Sequence, residues 1–422
     1  MRYDLEHIGR WLGALLVLLL TACSSSSSSG GDDPEPTGKP ALKIYVFPPD
    51  RPVVTRADVG NVDASDAENQ IHTICVWVFE RDETNLGNSL LVGHINLNNF
   101  SLSETGSGEI TLDVTDAFAD KISNAPTIDY RPKVDVYVAA NVTSSNCGLT
   151  PNSLMKNGET TESQVEALLI ENHFGLTTKV SEVPADGLPM SGVLKNQQIS
   201  GTSPVFRVGS PTTLATVRLV RAVSKVRFVF CQSTANNDNL TINRIDLGYV
   251  PAEAAAVQLP SQEYLFLGGP YPDYLKNIPD GVGREAVTTM GSNVSDINRN
   301  DSLSAYSYAA PMSGQDYENH INWGIKQEKL SEVGRFYLRE SDNGLAGKIY
   351  YTIVKEGETS GVMKERVFKT TGTTGATDDN DFTRNHTWIV YGYFVTSGDL
   401  EVSAVEIKDW VTSDTPAEVY NW

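Results

Sequence analysis

The sequence is poor in basic residues: 422 residues include 33 Lys and Arg against 53 Asp and Glu, a formal net charge of −20. A nucleic-acid-binding face must neutralise phosphates, so this imbalance argues against a nucleic-acid partner. It argues equally against docking onto anionic lipid by charge alone. With 40% hydrophobic and 9% aromatic residues, the chain is nevertheless expected to fold into globular domains.

Histidine is scarce as well, with six in the chain, and no two outside the N-terminal leader stand at the spacing of helical metal ligands. The sequence also has no nucleophile elbow, no phosphate-binding loop and no dinucleotide-binding fingerprint. Acidic runs at 296–301 and 378–381 lack the glycine and the glutamate of an EF-hand loop. We therefore expect no metal, no cofactor and no catalytic residue, and a protein that is not an enzyme.

Cysteine occurs only four times, at Cys23, Cys75, Cys147 and Cys231. No two of them have the spacing of a metal site, and the set is too sparse for a disulfide framework. Cys75 and Cys231 lie in apolar, strand-like runs, where a buried thiol behaves as a small hydrophobic side chain. One disulfide among the last three remains open at this point.

No long apolar run is present at the N-terminus, where residues 11–20 are too few to span a bilayer. That length is typical of the apolar region of a secretory signal peptide. The next residues, Leu20-Thr21-Ala22-Cys23, resemble a bacterial lipobox. We predict a lipoprotein signal peptide over 1–22 and acylation of Cys23, which would anchor the protein in the outer membrane. The alternative is an ordinary signal peptide followed by a chance cysteine.

Strand patterns, in contrast, are abundant. Residues 71–79 are apolar on both faces, and residues 133–142 alternate between apolar and other side chains. Similar runs occur at 217–230, 347–354, 387–395 and 400–407, whereas helical spacing is confined to 114–122 and 162–173. These helices are too short for a βαβ sheet. The class is therefore all-β, with two tandem sandwich domains and short decorating helices.

One strand stands apart from the others. Residues 41–47 (ALKIYVF) place Leu42, Ile44 and Val46 on one face, and the proline-rich stretch 48–52 separates them from the later strand patterns. We predict a flexible tether and this N-terminal strand over 23–56, a first sandwich over 57–210 and a second over 211–422. Residues 1–56 contain as many acidic as basic residues, so the whole charge of −20 belongs to 57–422.

Several motifs together resemble the FimA-type fimbrillins, the type V pilus subunits of anaerobic Gram-negative bacteria. They are the lipobox, AANV at 139–142, LPMSG at 188–192, LVRAVSKVRF at 219–228 and RNHTWIVYGYF at 384–394. The sequence departs from the family pattern at Ser224, where an alanine is expected, and at Trp388, where a tyrosine is expected. The resemblance implies transthyretin-like, Greek-key sandwiches and a lipoprotein precursor that is carried to the cell surface.

The resemblance also implies a mechanism of assembly. A trypsin-like surface protease cuts after a basic residue, an N-terminal strand leaves, and a strand of another fimbrial subunit fills the groove. Here Arg56 is the predicted cleavage site, with Arg51 second because Pro52 comes directly after it. The removable strand is the one that carries Leu42, Ile44 and Val46. The predicted donor is the C-terminal segment 404–422, with the aromatic residues Trp410, Tyr420 and Trp422. A plain terminal strand that closes its own sheet is the alternative for that segment.

The expected function is therefore a structural subunit of a fimbria that supports cell adhesion, with a ligand on a host or bacterial surface as a further partner. A pilus anchor subunit that is never cut is a related alternative. From a different class comes a surface glycan-binding lipoprotein of a nutrient-uptake system. Such a protein should display exposed Trp or Tyr platforms, whereas the six tryptophans here are scattered along the chain.

Overall fold

The computed structural model describes most of the chain from residue 39 to residue 407, with gaps. The described residues are 39–48, 66–98, 100, 108–147, 150–171, 183, 185–213, 215–249, 262–266, 288–290, 294–295, 297–299, 325–339, 345–369, 384, 387–396 and 399–407. They belong to a single unit that spans 39–422. The fold is all-β with short helices, as predicted, and its strands form two sandwiches.

The first sandwich contains eleven of the strands in chain order. They are β1 (Ala41–Phe47), β2 (Thr73–Glu80), β3 (Leu90–Asn98), β4 (Gly108–Asp113), β5 (Val134–Ala140), β6 (Leu169–Glu171), β7 (Met190–Gln197), β8 (Ile199–Thr202), β9 (Val205–Val208), β10 (Thr216–Arg218) and β11 (Val220–Arg221). One sheet has the order β11-β7-β5-β2-β3. The other has the order β10-β1-β9-β8, and β4 also pairs with β1. Strand β6 pairs outside these two sheets, with a strand from later in the chain.

The second sandwich is built from the remaining strands. They are β12 (Val223–Gln232), β13 (Asn239–Tyr249), β14 (Gln262–Tyr264), β15 (Thr288–Met290), β16 (Ser331–Arg339), β17 (Leu345–Val354), β18 (Gly361–Lys369), β19 (Thr387–Phe394) and β20 (Leu400–Ile407). Its sheets have the orders β16-β12-β19-β20 and β15-β13-β17-β18. Strand β14 instead pairs with β6 of the first sandwich, so the two halves of the chain are interleaved.

The helices are short: α1 (Asp66–Asn69), α2 (Asp116–Asn124), α3 (Ser144–Cys147) and α4 (Glu162–Glu166), with three 3-10 turns at Leu86–Asn88, Ile128–Tyr130 and Pro151–Leu154. Helix α2 confirms the prediction for 114–122, and the Thr115 side chain caps it by accepting from the Phe118 amide. The helix predicted over 162–173 is wrong beyond Glu166, because 169–171 form β6 and pair with β14. Tertiary pairing there overrides the helical spacing of the apolar residues.

Strand β2 shows why its sequence is apolar on both faces. Ile74, Val76 and Val78 enter the core between the two sheets. Trp77 and Phe79 enter a second cluster on the outer face, which Val165 and Leu168 from the α4 region, together with Phe266, cover. Lys195 of β7 holds α4 there through ion pairs with Glu162 and Glu166, at 2.5 and 2.8 Å. The strand is therefore covered on both sides, as its sequence predicts.

The strand predicted over 217–230, with a bulge or bend near 219–220 where the apolar positions change phase, is three strands in three different sheets. Residues 216–218 (β10) belong to one sheet of the first sandwich and residues 220–221 (β11) belong to its other sheet. Strand β12 begins the second sandwich at Val223. The predicted boundary at 210/211 therefore falls before the last strands of the first sandwich. We propose that the boundary lies near Ala222 instead.

A buried ionic cluster lies where the two sandwiches meet. Glu68 of α1 is fully buried, lies 3.3 Å from the Lys225 ammonium group and 3.4 Å from the Arg335 guanidinium, and accepts from the Tyr337 hydroxyl. Burial alone would raise the pKa of Glu68, but the neighbouring cations and this hydrogen bond hold it below its usual range. Glu332 on β16 similarly lies between Arg227 and Arg335. The cationic face of β12 is thus neutralised by carboxylates and not by solvent.

The first prediction concerns Asn141, which ends β5 in the left-handed conformation with φ of 58°. Its buried side chain accepts from the His72 amide and donates to the carbonyls of Gln70 and Leu188. Replacement Asn141→Ala should lower the free energy of unfolding by about 3 kcal/mol, from lost hydrogen bonds and backbone strain. Denaturant titration measures it. The control Asn141→Gly keeps the backbone conformation and should cost less than alanine; equal or larger loss for glycine would contradict this account.

The second prediction concerns pH. The guanidinium groups of Arg227 and Arg335 outweigh the effect of burial and lower the pKa of Glu332 to about 2. Since an unfolded glutamate titrates near pH ~4.3, the stability from this carboxylate is complete above that pH and is lost as the pH falls towards 2. The free energy of unfolding should therefore fall less steeply across this window in Glu332→Gln than in the wild type. An identical pH dependence of the free energy of unfolding in the two proteins would show that the ionised Glu332 does not contribute to stability in this way.

Candidate functional site

The candidate site is β1 together with the slot that it occupies. Strand β1 lies inside its sheet, not at an edge. It pairs antiparallel with β4 over six register positions, from Ala41–Asp113 to Val46–Gly108. On its other side it runs parallel to β9 over residues 41–43 and parallel to β10 over residues 45–47. None of these neighbours comes directly after β1 in the chain, so β1 is not part of a hairpin.

Two of the neighbouring strands depend on β1 for their place. Among the described residues, β4 and β10 form strand ladders with β1 alone, whereas β9 also pairs with β8. Single hydrogen bonds extend the ladder at both ends: Ala41 N donates to Pro204 O, and Leu219 N donates to Phe47 O. Strand β1 is therefore the centre of its sheet, and its departure would leave β4 and β10 without a ladder partner.

Strand β1 is the predicted removable strand. Its inward face consists of Leu42, Ile44 and Val46, each 0% exposed. They pack in the core between the two sheets. Complete burial of such side chains stabilises by about 1.5–3 kcal/mol each, so the three together contribute roughly 5–9 kcal/mol as an upper bound. A strand of seven residues spans about 23 Å, which is the length of the slot.

The outward face of β1 carries a charged contact that the periodicity of the sequence does not reveal. Lys43 forms an ion pair with Glu109 of β4, and the Tyr45 hydroxyl donates to the same carboxylate. Glu109 lies directly opposite Tyr45 in the register. Partial burial would raise the pKa of Glu109, but the bonds from Lys43 and Tyr45 outweigh it and hold that pKa below its usual value. Arg207 of β9 lies opposite Lys43 on the other side.

A glycine explains how β10 approaches the opposite sheet. A Cβ atom at Gly192 on β7, in the LPMSG motif, would lie 2.4 Å from the Arg218 carbonyl oxygen of β10. Only a residue without a side chain permits this approach. The position of β10 beside β1 thus depends on close backbone packing against Gly192. The sequence shows the LPMSG motif but not the reason for its glycine.

The other predicted site residues lie outside the described part of the chain. They are Cys23, Arg51, Arg56, Trp410, Tyr420 and Trp422. Cys75, Cys147 and Cys231 are buried, and no disulfide joins any two of them. Within the described ranges, no group of three metal-ligating side chains is found, and no helix is long and apolar enough to cross a membrane.

Apart from the slot of β1, the described residues offer little space for a small ligand. A polar cavity of about 260 Å³ in the second sandwich is lined by residues that include Gln232, Asp238 and Arg299, with no aromatic side chain. Trp77 and Trp388 are both fully buried. The described residues therefore contain no tryptophan platform of the kind that a sugar ring would stack on.

The third prediction tests the inward face of β1. Replacement Ile44→Ala should lower the free energy of unfolding of the uncut chain by about 2–5 kcal/mol, because the side chain is fully buried. The matched control is Thr111→Ala on the outward face of β4, which should change it by less than about 0.5 kcal/mol. Both are measured by denaturant titration. A similar small effect at both positions would contradict a tightly packed slot.

Comparison with known proteins gives only distant likenesses. No family model matches the sequence, and no curated protein is similar to it. Several solved structures match the chain over most of its length, among them these three. A candidate cell adhesion protein from Bacteroides eggerthii is 14% identical with a TM-score of 0.44, over 88% of this chain and 96% of that one. A fimbrial assembly protein from Parabacteroides distasonis is 13% identical with a TM-score of 0.41, over 87% and 95%. The C-terminally truncated tip fimbrial protein Mfa3 from Porphyromonas gingivalis is 11% identical with a TM-score of 0.39, over 87% and 99%.

Proposed function

We propose that this chain is a structural subunit of a cell-surface fimbria and that it assembles by donor-strand exchange after proteolysis. The observation that carries the proposal is the position of β1: an early strand, outside any hairpin, at the centre of a sheet. Because no hairpin turn links β1 to a neighbouring strand, β1 can leave the sheet without disrupting a turn. Its departure would leave an apolar slot that must be refilled, because an open strand edge beside an exposed core is a site for pairing.

Proteolysis would act on the connection of β1 and not on its contacts. In the uncut chain β1 is tethered to its slot, so its effective concentration there is on the order of millimolar. A cut at Arg56, or at Arg51, turns β1 into a separate peptide with the same contacts but without the tether. A donor strand on a neighbouring subunit then competes for the slot with an untethered β1, which no longer has the advantage of a high effective concentration. Main-chain ladder bonds supply affinity, and the alternate side chains supply register.

The remaining parts of the proposal concern the two ends of the sequence. A lipid on Cys23 holds the precursor in the outer membrane until the cut releases it, and a trypsin-like surface protease makes that cut. Segment 404–422 is the predicted donor. Because residues 404–407 form the end of β20 and pair with β19, we propose that residues 408–422 are the part that enters the slot of the next subunit. A host or bacterial surface ligand is the proposed target of the fibre. A subunit that is never cut would instead serve as an anchor.

The experiment measures the exchange of β1 directly. The purified full chain is cut with trypsin, the protease is inhibited, and a fluorescent peptide with the sequence of residues 40–48 is added. Uptake of the peptide is measured by fluorescence after native gel electrophoresis, and loss of unlabelled β1 by mass spectrometry. The proposal expects uptake only after the cut. Equal uptake by the double variant Arg51→Ala, Arg56→Ala would contradict cleavage as the trigger.

The fourth prediction uses a disulfide lock. Lys43 on β1 and Thr111 on β4 are directly opposite in the register, a position that suits a disulfide between cysteines. The oxidised variant Lys43→Cys, Thr111→Cys should be cut by trypsin like the wild type but should take up no peptide. Reduction should restore uptake. The single variant Lys43→Cys is the control, and undiminished uptake by the oxidised double variant would show that β1 need not leave.

A further inference from the structure

The slot of β1 specifies the strand that can replace β1. An incoming strand must bury three side chains at alternate positions, where Leu42, Ile44 and Val46 are now fully buried. It must also place two side chains on the outward face, where Lys43 and Tyr45 both bind Glu109. Whether segment 408–422, which comes after the last described strand, meets these requirements can be read from its sequence. This step rests on the proposed function.

Most registers of the segment KDWVTSDTPAEVYNW in the slot would bury a charged side chain. They place Lys408, Asp409, Asp414 or Glu418 at an inward position. An unpaired charge in an apolar core is strongly unfavourable. The registers without a buried charge begin at Val411, Ser413, Thr415 or Ala417. Reversing the direction of the strand gives the same inward sets, so this result does not depend on orientation.

The remaining registers fill the slot poorly. Their inward residues are Val-Ser-Thr, Ser-Thr-Ala, Thr-Ala-Val and Ala-Val-Asn, in place of Leu-Ile-Val. In the last of them, Ala417 would replace Leu42 and Asn421 would replace Val46. Replacing one buried leucine by alanine would alone lower the affinity of the strand for the slot by a factor of about thirty or more. An amide buried in an apolar site adds a further loss.

The outward face excludes further registers. When the strand runs in the direction of β1, the registers that begin at Val411 and Thr415 place Asp414 or Glu418 directly opposite Glu109; in the reverse direction those that begin at Ser413 and Ala417 do so. Like charges directly opposite each other on neighbouring strands are destabilising. In the direction of β1, only the register that begins at Ala417 places a tyrosine, Tyr420, opposite Glu109, and its inward residues are too small or too polar.

The pairing of Lys-x-Tyr with a glutamate occurs a second time in the chain. On β17, Lys348 and Tyr350 flank the buried Ile349, as Lys43 and Tyr45 flank Ile44. Glu365 of the antiparallel neighbour β18 lies directly opposite Tyr350, and its carboxylate lies 3.3 Å from the Lys348 ammonium group. The same side-chain set thus marks the register of a central strand in both sandwiches.

We propose that the slot of this chain takes its strand from a different protein and not from segment 408–422 of a second copy. The partner strand carries three large aliphatic side chains at alternate positions. Between them it carries Lys or Arg, or Tyr, at the positions that face Glu109. Segment 408–422 then serves the slot of an unlike subunit, and the fibre contains at least two kinds of subunit at this junction.

The test compares labelled peptides in the trypsin-cut, protease-inhibited full chain. Peptide 40–48 is the probe for a matching strand, and peptide 408–422 is the probe for the segment of a second copy. We expect peptide 408–422 to need at least about a hundredfold higher concentration for half-maximal uptake. The triple change Ala417→Leu, Glu418→Lys, Asn421→Val should restore uptake to within about tenfold of peptide 40–48. Half-maximal uptake of unmodified peptide 408–422 within about tenfold of peptide 40–48 would overturn the proposal.

A second arm isolates Glu109. Peptide 40–48 with Lys43→Glu should enter the wild-type slot about fivefold less well than the unmodified peptide, and this difference should largely vanish in a Glu109→Gln chain. If the two peptides differ by the same factor in the Glu109→Gln chain, then Glu109 does not take part in recognition of the incoming strand. If no peptide enters the cut chain, including peptide 40–48, then β1 does not exchange and the proposed function itself fails. Uptake of both unmodified peptides at concentrations within about tenfold of each other would instead overturn only the choice of partner.

Discussion

The structure depends on a strand that is held at the centre of a sheet by neighbours remote from it in sequence. Strands β4 and β10 have ladders with β1 alone among the described residues, and the inward side chains of β1 complete the core that both sheets share. A central strand normally gains its place through hairpins or crossovers to its neighbours. Here β1 has neither, so the order of the sheet and the connectivity of the chain are independent.

The same strand borders the junction between the two sandwiches. Strand β10 ends at Arg218, the Leu219 amide bonds to the end of β1, and Lys225 on β12 reaches the buried Glu68. Arg221, between these points, bonds to the Glu68 carbonyl. The connection between the sandwiches is thus fixed at one end by β1 and at the other by a buried ionic cluster. Removing one partner of such a cluster is costly, which keeps α1 in place whatever occupies the slot.

Much of the fold could be predicted from local patterns, and the failures have a common cause. Residues 41–47 and 71–79 are strands because their side chains alternate or are apolar on both faces, and Thr115 caps α2 as its residue type suggests. Residues 217–230 look like one strand because every segment of them is apolar at alternate positions. Which sheet each segment joins depends on partners far away, at Val46, Met190 and Trp388. The period of a sequence contains no information about such partners.

The contact at Glu109 escaped sequence reasoning for the same reason, since an exposed glutamate in a strand is unremarkable until its cross-strand partners are known. Yet its contribution is modest: Lys43 and Glu109 are 27% and 37% exposed, and such pairs contribute about 1 kcal/mol or less. The three aliphatic side chains contribute several times more. Because residues 57–422 carry the whole net charge of −20, copies of this chain would repel one another at long range, and salt should ease their approach. If the proposed exchange occurs, the apolar slot must therefore supply most of the affinity for the incoming strand, and Glu109 adds a smaller preference for its register.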